Sequence, residues 1–216
     1  KEFTPHIVNF FRILKDVNPF TDLNLRQSLA HSIDYDNIYS QIPELNNYEK
    51  PTGIMTPDLY DYNSKPNQIL GYDINQAKNL LSDYEKDFIN FTTAFYENDS
   101  STYVKEFIEA INNDWEGDLN SLGTLDTNNI YETQDPWRDQ ALYRTGWVND
   151  NPDPLYNMLE LERTFQVFPE AAKELLDEAK YLIDDNETEA LNKIYEAEKV
   201  ILNEGIIIPL NFIPQS

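Results

Sequence analysis

Hydrophobic residues follow strand-like and helix-like spacings in the first part of the chain. "VNFFRIL", residues 8–14, is a short apolar run that predicts a β-strand, and turn-forming residues follow it. From Thr21 a helix is predicted, because apolar residues recur at intervals of four on one face, at Leu25, Leu29 and Ile33. Thr or Asp would supply the N-cap of this helix, and Asp34 or Asp36 is expected to cap a second short helix.

Helical and strand-like patterns then alternate to the end of the chain. Asp73 is expected to cap a helix in "INQAKNLLSDY", "FINFTTAFY" alternates as a half-buried strand does, and residues 104–115 predict a helix. "ALYRTGWV" predicts another strand, and two acidic amphipathic helices are predicted from Pro169 to Asn203. Gly205 is expected to close the second of them, before a final strand in "IIIPLNFI". This alternation predicts an α/β fold with a sheet covered by helices.

One long segment breaks the alternation. Residues 42–68, "IPELNNYEKPTGIMTPDLYDYNSKPNQ", contain four prolines and show no apolar periodicity. A segment of this kind is typical of a loop that runs over the surface, whether ordered or mobile. We therefore expect a surface loop here.

Composition narrows the classes of partner. With 216 residues, of which 40% are hydrophobic, the chain is long enough to bury a core. Its 39 acidic residues against 16 basic ones give a formal net charge of −23, which repels nucleic acids and anionic lipid surfaces, so neither is an expected partner. No run reaches the roughly 18 apolar residues of a membrane span, and no signal peptide is recognised. The protein is therefore expected to be cytosolic or an internal piece of a longer chain.

The residue types present exclude most catalytic and metal-binding chemistry. The chain has no cysteine, which rules out thiolate nucleophiles and zinc–cysteine sites, and its two histidines, His6 and His31, are too few for a histidine-rich metal site. An EF-hand loop counted from Asp150 lacks the required glycine and glutamate. The nucleophile elbow, the P-loop and the dinucleotide-binding glycine motif are missing too. We therefore expect no enzyme, no cofactor and no metal, with acid–base catalysis by carboxylates such as Asp150 and Asp153 as an alternative.

The segment "RTGWVNDNPDP", residues 144–154, ends a predicted strand in a cluster of Asn, Asp and Pro. Proline cannot donate to a sheet, and Asn and Asp satisfy the backbone of turns, so the strand is expected to stop near Asn149. Asp150 would then be either a plain turn residue or a ligand contact, since open α/β sheets place their ligands at the carboxyl ends of strands. The residues alone leave both interpretations open.

Four phrases, in a fixed order from residue 18 to residue 210, carry a resemblance to a known family. "NPFTDLNLRQSLAHSIDYDNI" is similar to a Pro-Phe-x-Asp turn before a helix with Arg-Gln-Ala and then Ala-x-Asp, although Ser28 and Ser32 stand where alanine is usual. "YDINQAKNLL" resembles Tyr-Asp-x-x-x-Ala-x-x-Leu-Leu, "RTGWVNDNPDP" resembles Gly-Trp-x-x-Asp-x-x-Asp-Pro, and "IYEAEKVILNEGIIIPL" resembles Ala-Glu-x-x-Leu…Pro-Leu. The family is that of the extracytoplasmic solute-binding proteins that serve oligopeptide, dipeptide and nickel ABC transporters.

The resemblance implies a fold and an extent. The fold it implies is α/β, a type II periplasmic-binding-protein-like lobe with a mixed sheet flanked by helices. Members of the family are more than twice as long and close two lobes on their ligand, and the matching phrases belong to the second lobe. Residues 1–216 are therefore expected to form a single ligand-binding lobe, a fragment of a longer chain.

The resemblance also implies a function and partners. The expected function is that of the substrate-binding component of an ABC importer, which captures short peptides between two lobes and delivers them to the permease subunits in the membrane. The protein is expected to be an extracytoplasmic monomer, either a cell-surface lipoprotein or periplasmic, attached to the membrane only through an anchor outside these residues. A nickel chelate or another small molecule as cargo, and an acidic protein-interaction domain, remain the alternatives.

The predicted ligand-binding residues lie within "RTGWVNDNPDP". In peptide-binding members of the family, the acid of the Gly-Trp-x-x-Asp segment meets the α-ammonium group of the ligand, a role that the resemblance transfers to Asp150. Trp147 would offer the ligand a flat apolar wall or pack in the core. Strand spacing adds Arg144, roughly 20 Å from Asp150 at about 3.3 Å per residue, either as the partner of a peptide carboxylate or as that of a surface acid. Asn149 and Asn151, which flank Asp150, complete the predicted site.

Overall fold

The computed structural model describes residues 6–56, 59, 69–82, 91–95, 125–129 and 142–214, with the backbone alone for 91–95, 125–129 and Tyr143. Along the chain, the elements are β1 His6–Ile13, α1 Leu23–His31, α2 Tyr35–Gln41, a 3₁₀ helix Pro43–Asn47, α3 Ile74–Leu80, β2 Phe91–Phe95, β3 Leu125–Asn129, β4 Leu142–Asn149, α4 Pro154–Phe165, α5 Glu170–Leu182, α6 Glu187–Asn203 and β5 Ile207–Pro214. The predicted α/β class is confirmed, whereas β3 was not predicted. The helix predicted over residues 104–115 lies outside the described residues.

The described strands form one sheet in the order β3-β2-β4-β1-β5. β2 pairs in parallel with β3, where Phe91 lies opposite Leu125, and in parallel with β4, where Thr93 lies opposite Leu142. An antiparallel bridge also joins Glu49 to Phe212 of β5. Neighbouring strands in the sheet are distant in sequence. β1 and β5, for example, lie side by side although they are the first and last described strands.

Backbone packing groups the chain into two compact units. The first unit comprises Lys1–Phe10, Glu49–Ile69 and Gly146–Ser216, and the second comprises Phe11–Tyr48 and Leu70–Thr145. β1 and β4 each contribute residues to both units. The single lobe expected over residues 1–216 stays a prediction.

The core of the first unit forms between the late helices and the strands. The two acidic helices bury one apolar stripe each, Ala172, Leu176 and Ala179 on α5 and Ala190, Ile194, Ala197 and Ile201 on α6. Gly205 follows α6 with φ of 62°, a backbone conformation that glycine adopts without strain, and β5 begins two residues later. The two predicted amphipathic helices, the glycine that ends the second and the final strand are therefore all confirmed.

The core of the second unit gathers the apolar residues that the early sequence pattern predicted. Its fully buried side chains include Phe11, Ile13, Phe20, Leu25, Leu29, Ile33 and Ile38. α1 is attached to α3 by a hydrogen bond from Ser28 Oγ to the carbonyl oxygen of Ala77 at 2.9 Å. The buried Arg26 donates through Nη1 to the carbonyl oxygen of Phe20 at 2.8 Å and so holds the turn that precedes α1.

Aspartate side chains begin three helices of this unit. Oδ1 of Asp22 accepts from the N–H of Asn24 at the start of α1, and Asp34 and Asp73 accept in the same way at the starts of α2 and α3. These acceptors satisfy N–H groups that have no partner within the helix. The N-caps predicted from the sequence are confirmed, with Asp22 and Asp34 selected from the two pairs of candidates.

The described part of residues 42–68 differs from the predicted surface loop. Residues 43–47 form a 3₁₀ helix that buries Leu45, and Ile54, Met55 and Thr56 have no exposed surface. The prediction of a surface loop is therefore wrong for residues 51–56, whereas most of residues 43–50 are exposed. A loop is placed in the interior only where its backbone finds hydrogen-bond partners, and here a buried carboxylate supplies them.

Candidate functional site

β4 ends where the sequence changes from apolar residues to Asn, Asp and Pro. Its last residue is Asn149, and Asp150 follows outside the strand with an exposed side chain. Proline cannot donate to a ladder, so Pro152 and Pro154 mark the end of pairing, as predicted. We call residues 150–153 the strand-end turn.

Side-chain hydrogen bonds fix the strand-end turn from within. Oδ1 of Asn151 accepts from the N–H of Asp153 at 2.9 Å, and Oδ1 of Asp153 accepts from the N–H of Leu155 at 2.9 Å. Nδ2 of Asn157, in α4, donates to the carbonyl oxygens of Asn151 and Asp153 at 2.7 and 3.1 Å. Asn151 therefore forms its hydrogen bond inside the turn, and Asp153 is the N-cap of α4.

Asn149 is buried and holds another part of the chain. Its side chain is 0% exposed, and Nδ2 donates to the carbonyl oxygen of Ile54 at 3.3 Å. Its Oδ1 is buried too and accepts no hydrogen bond from the described residues. Asn149 thus attaches the end of β4 to the segment 51–56, which we call the buried loop.

A carboxylate holds the buried loop from its other side. Glu198 of α6 is 0% exposed, and its Oε1 accepts from the N–H of Ile54 at 2.5 Å and from the N–H of Met55 at 2.9 Å. Hydrogen bonds to an ionised acceptor are stronger than those between neutral groups. The buried loop is therefore fixed by its backbone rather than by regular secondary structure.

The sequence carries a signal for the burial of Glu198, although the sequence analysis did not use it. Glu198 lies four residues after Ile194 and four before Leu202, both of which are buried, so it occupies the apolar face of α6. A carboxylate on such a face needs donors inside the protein, because an unpaired buried charge is very costly. Counting only apolar residues along the stripe missed this acid.

Trp147 lies in β4 three residues before Asp150. Its ring meets Phe165 of α4 edge-on, with 6.3 Å between ring centroids, and Phe165 meets Phe10 of β1 in the same manner at 5.6 Å. The indole Nε1 is buried and has no hydrogen-bond partner among the described side chains and backbone. The half-buried Trp147 thus contributes to the packing of α4 on the sheet.

The remaining residues of β4 have different surroundings. Gly146 and Val148 are exposed, with Val148 at 43%. Arg144 is half-buried and belongs to the second unit, whereas Gly146 and the residues after it belong to the first. The peptide-length bridge from Asp150 to Arg144 stays a prediction.

The described ranges contain neither a metal-binding cluster nor a membrane-spanning helix. No group of three or more histidine, aspartate and glutamate side chains in these ranges is arranged to hold a metal ion. Within the same ranges, no helix has both the length and the apolar composition that a bilayer crossing requires.

Comparison with known proteins places this chain in a family. Residues 1–167 match the family described as "Bacterial extracellular solute-binding proteins, family 5 Middle". The chain is 25% identical over 223 residues to the dipeptide-binding protein DppE of Bacillus subtilis (strain 168), a match that covers 95% of this chain and 40% of DppE. The chain thus spans about two fifths of the length of this curated relative.

Solved structures show the same fold. HbpA2 from Haemophilus parasuis superimposes with a TM-score of 0.77 at 17% identity, over 100% of this chain and 44% of that one. A dipeptide-binding protein from Pseudoalteromonas sp. SM9913 superimposes with a TM-score of 0.75 at 19% identity, over 100% and 44%. The predicted type II periplasmic-binding-protein-like fold is confirmed, and the chain belongs to family 5 of the bacterial extracellular solute-binding proteins.

Proposed function

We propose that this chain is the ligand-binding lobe of the substrate-binding component of an ABC importer, and that its ligands are short peptides with a free amino group. The family is one of solute-binding proteins rather than enzymes. Two similar proteins, those of Bacillus subtilis and Pseudoalteromonas, are dipeptide-binding proteins, and the second was solved in complex with Met-Leu. These relatives favour a peptide over a nickel chelate or another small molecule.

The observation that carries the proposal is the exposed position of Asp150. The neighbouring polar side chains form hydrogen bonds within the protein. Asn149 holds the buried loop, and Asn151 and Asp153 stabilise the strand-end turn. The side chain of Asp150 is exposed at the end of β4. A carboxylate in a rigid turn is prepared for a ligand cation, because little conformational freedom remains to be lost on binding.

The chemistry of a peptide amine matches a carboxylate at this position. An α-ammonium group donates short, charge-assisted hydrogen bonds to a carboxylate. The formal net charge of −23 favours the approach of cationic groups over anionic ones. Asp150 would therefore select peptides that have an unmodified amino terminus.

The remaining parts of the proposal follow from the family. We propose that the full-length protein is extracytoplasmic, as a cell-surface lipoprotein or in the periplasm, and closes two lobes on its ligand. It would then deliver the peptide to permease subunits as a monomer. Trp147, Arg144, Asn149 and Asn151 complete the proposed site, with Asn149 and Asn151 acting through the shape of the turn.

Titration calorimetry of the full-length protein tests the proposed ligand class. Peptides of two to six residues with a free amine are expected to bind with dissociation constants of about 1 µM or lower. The same peptides acetylated at the amine are expected to bind at least about tenfold more weakly, because one charge-assisted interaction is lost. A nickel chelate and an amine-free sugar acid serve as comparison ligands. Tight binding of either comparison ligand, with no binding of free-amine peptides, would refute the proposal.

A further inference from the structure

The buried loop, residues 51–56, is held from three sides within the first unit. At its start, Glu49 exchanges two backbone hydrogen bonds with Phe212 of β5, both at 2.9 Å. At Ile54 and Met55, the two backbone N–H groups point to the same oxygen of Glu198. The carbonyl oxygen of Ile54 accepts from the side chain of Asn149.

The peptide units on the two sides of Ile54 therefore link α6 to the end of β4. The N–H of Ile54 donates to Glu198, whereas its C=O accepts from Asn149, so a shift of Ile54 changes both hydrogen bonds at once. Asn149 immediately precedes Asp150 in the chain. The direction in which Asp150 leaves the strand is therefore coupled to the position of the buried loop.

Glu198 is the member of this chain of contacts that is hardest to replace. It is a carboxylate with no exposed surface, placed on the otherwise apolar face of its helix, where alanine or leucine would pack at no electrostatic cost. Removing the carboxylate would delete the two hydrogen bonds that its Oε1 accepts from the N–H groups of Ile54 and Met55. A residue chosen only for the stability of α6 would not be an acid here.

We propose that Glu198 is a positioning residue of the peptide site: it fixes the buried loop, and through Ile54 and Asn149 it fixes the strand-end turn that carries Asp150. The inference rests on the proposed function only in giving Asp150 the ligand amine. The coupling between Glu198 and the strand-end turn is a property of the protein without ligand. The two parts can therefore be tested separately.

Hydrogen–deuterium exchange of the full-length protein without ligand tests the coupling between Glu198 and the strand-end turn. Glu198→Gln keeps the size of the side chain but removes its charge, and we expect exchange about tenfold faster at Ile54 and Met55, and also faster at Asp150 and Asn151. Glu196→Gln is the matched control, because Glu196 lies on the same helix but is half-exposed and forms a surface ion pair with Lys199 at 3.7 Å. This control is expected to leave exchange at all four amides unchanged.

Two outcomes of the exchange experiment would overturn the proposal. The first is faster exchange in the buried loop with no change at Asp150 and Asn151, which would make Glu198 a local tether. The second is unchanged exchange in the buried loop itself. If Glu198→Gln does not fold, Glu198→Asp retains the charge but shortens the side chain by one methylene, and the same comparison of the two segments applies.

Peptide affinity then tests the link to Asp150. We expect Glu198→Gln to raise the dissociation constant of a free-amine peptide about three- to tenfold in the wild-type background, but less than about twofold when Asp150→Asn is already present. Equal effects in both backgrounds would show that Glu198 does not act through Asp150 and would overturn the proposal. If Asp150→Asn alone changes nothing, the proposed function fails, whereas the exchange data still decide the role of Glu198 in placing the turn.

Discussion

A β-carbon on Gly146 would lie 2.9 Å from Oδ1 of Asn9 and 3.2 Å from Cγ2 of Ile7. At position 146, β4 therefore lies so close to β1 that only glycine fits without a shift of the neighbouring atoms. Asn9 cannot easily move away, because it is buried and its Nδ2 donates to Oδ1 of Asn211 in β5 at 2.7 Å. The glycine of the Gly-Trp-x-x-Asp segment is thus required by the packing of three strands.

Gly146→Ala is expected to lower the free energy of unfolding by about 1–3 kcal/mol, since the added methyl group forces Asn9 or the strand to shift. Urea denaturation measures this change. Gly71→Ala is the control, because a β-carbon there meets no atom within 4 Å, and it should change stability by less than about 0.5 kcal/mol. If Gly146→Ala is as stable as Gly71→Ala, the close approach of the strands does not constrain the fold.

Gln166 ends α4 in the left-handed region, with φ of 53°. This conformation costs a non-glycine residue roughly 1–2 kcal/mol. Glycine adopts it without that strain, but the greater freedom of glycine in the unfolded state offsets part of the gain in stability. We expect Gln166→Gly to raise the melting temperature, with a gain of about 0.5 kcal/mol in stability. Gln166→Ala keeps the strain and should not be more stable than the wild type. A destabilised glycine variant would contradict this account.

Burial raises the pKa of the Tyr35 phenol above its ordinary value near 10. Because the unfolded state then loses its proton first, the stability that this residue contributes is complete below pH 10 and falls as the pH rises further. Between pH 9 and pH 11, the wild type should lose about 1 kcal/mol more than Tyr35→Phe. Tyr181→Phe is the control, since Tyr181 is 83% exposed and folding changes its surroundings little. Identical pH profiles for the wild type and Tyr35→Phe would rule out this contribution.

The features that the sequence predicted are those whose cause is local. Helix caps were expected at Thr or Asp before α1, at Asp34 or Asp36 and at Asp73, because a cap needs only the side chain and an N–H two or three residues later. The caps in the structure are Asp22, Asp34 and Asp73. The stop of β4 near Asn149 followed from the prolines beyond it. Periodicity predicted α5 and α6 for the same reason, since each stripe is complete within one element.

The features that the sequence did not predict depend on partners far along the chain. Asn149 bonds to Ile54 across 95 positions, and Glu198 reaches the N–H of Met55 across 143. No local pattern indicates that the loop is interior, since proline and glycine predict a turn wherever it lies. The family phrases identified the segment that carries Asp150, but not the contacts that hold it.

Asp150 is the residue on which the proposed function depends most directly. If its carboxylate pairs with the ammonium group of a bound peptide, Asp150→Asn keeps the shape of the turn but loses the charge. Removing one partner of a desolvated charge pair typically costs about 2–5 kcal/mol, roughly 30-fold to several thousand-fold in dissociation constant. The variant should unfold at the same urea concentration as the wild type.

Titration calorimetry of full-length Asp150→Asn with free and N-acetylated peptides checks this prediction. Acetylation should weaken binding to the wild type about as much as the substitution does, and should have little further effect on the variant, because both changes delete the same interaction. Asp153→Asn is the matched control: Asp153 caps α4, so its substitution should change stability by about 1 kcal/mol at most and leave affinity unchanged. If both variants bind free-amine peptides as the wild type does, then Asp150 is only a turn residue, and the exposed carboxylate at the end of β4 has no part in recognition.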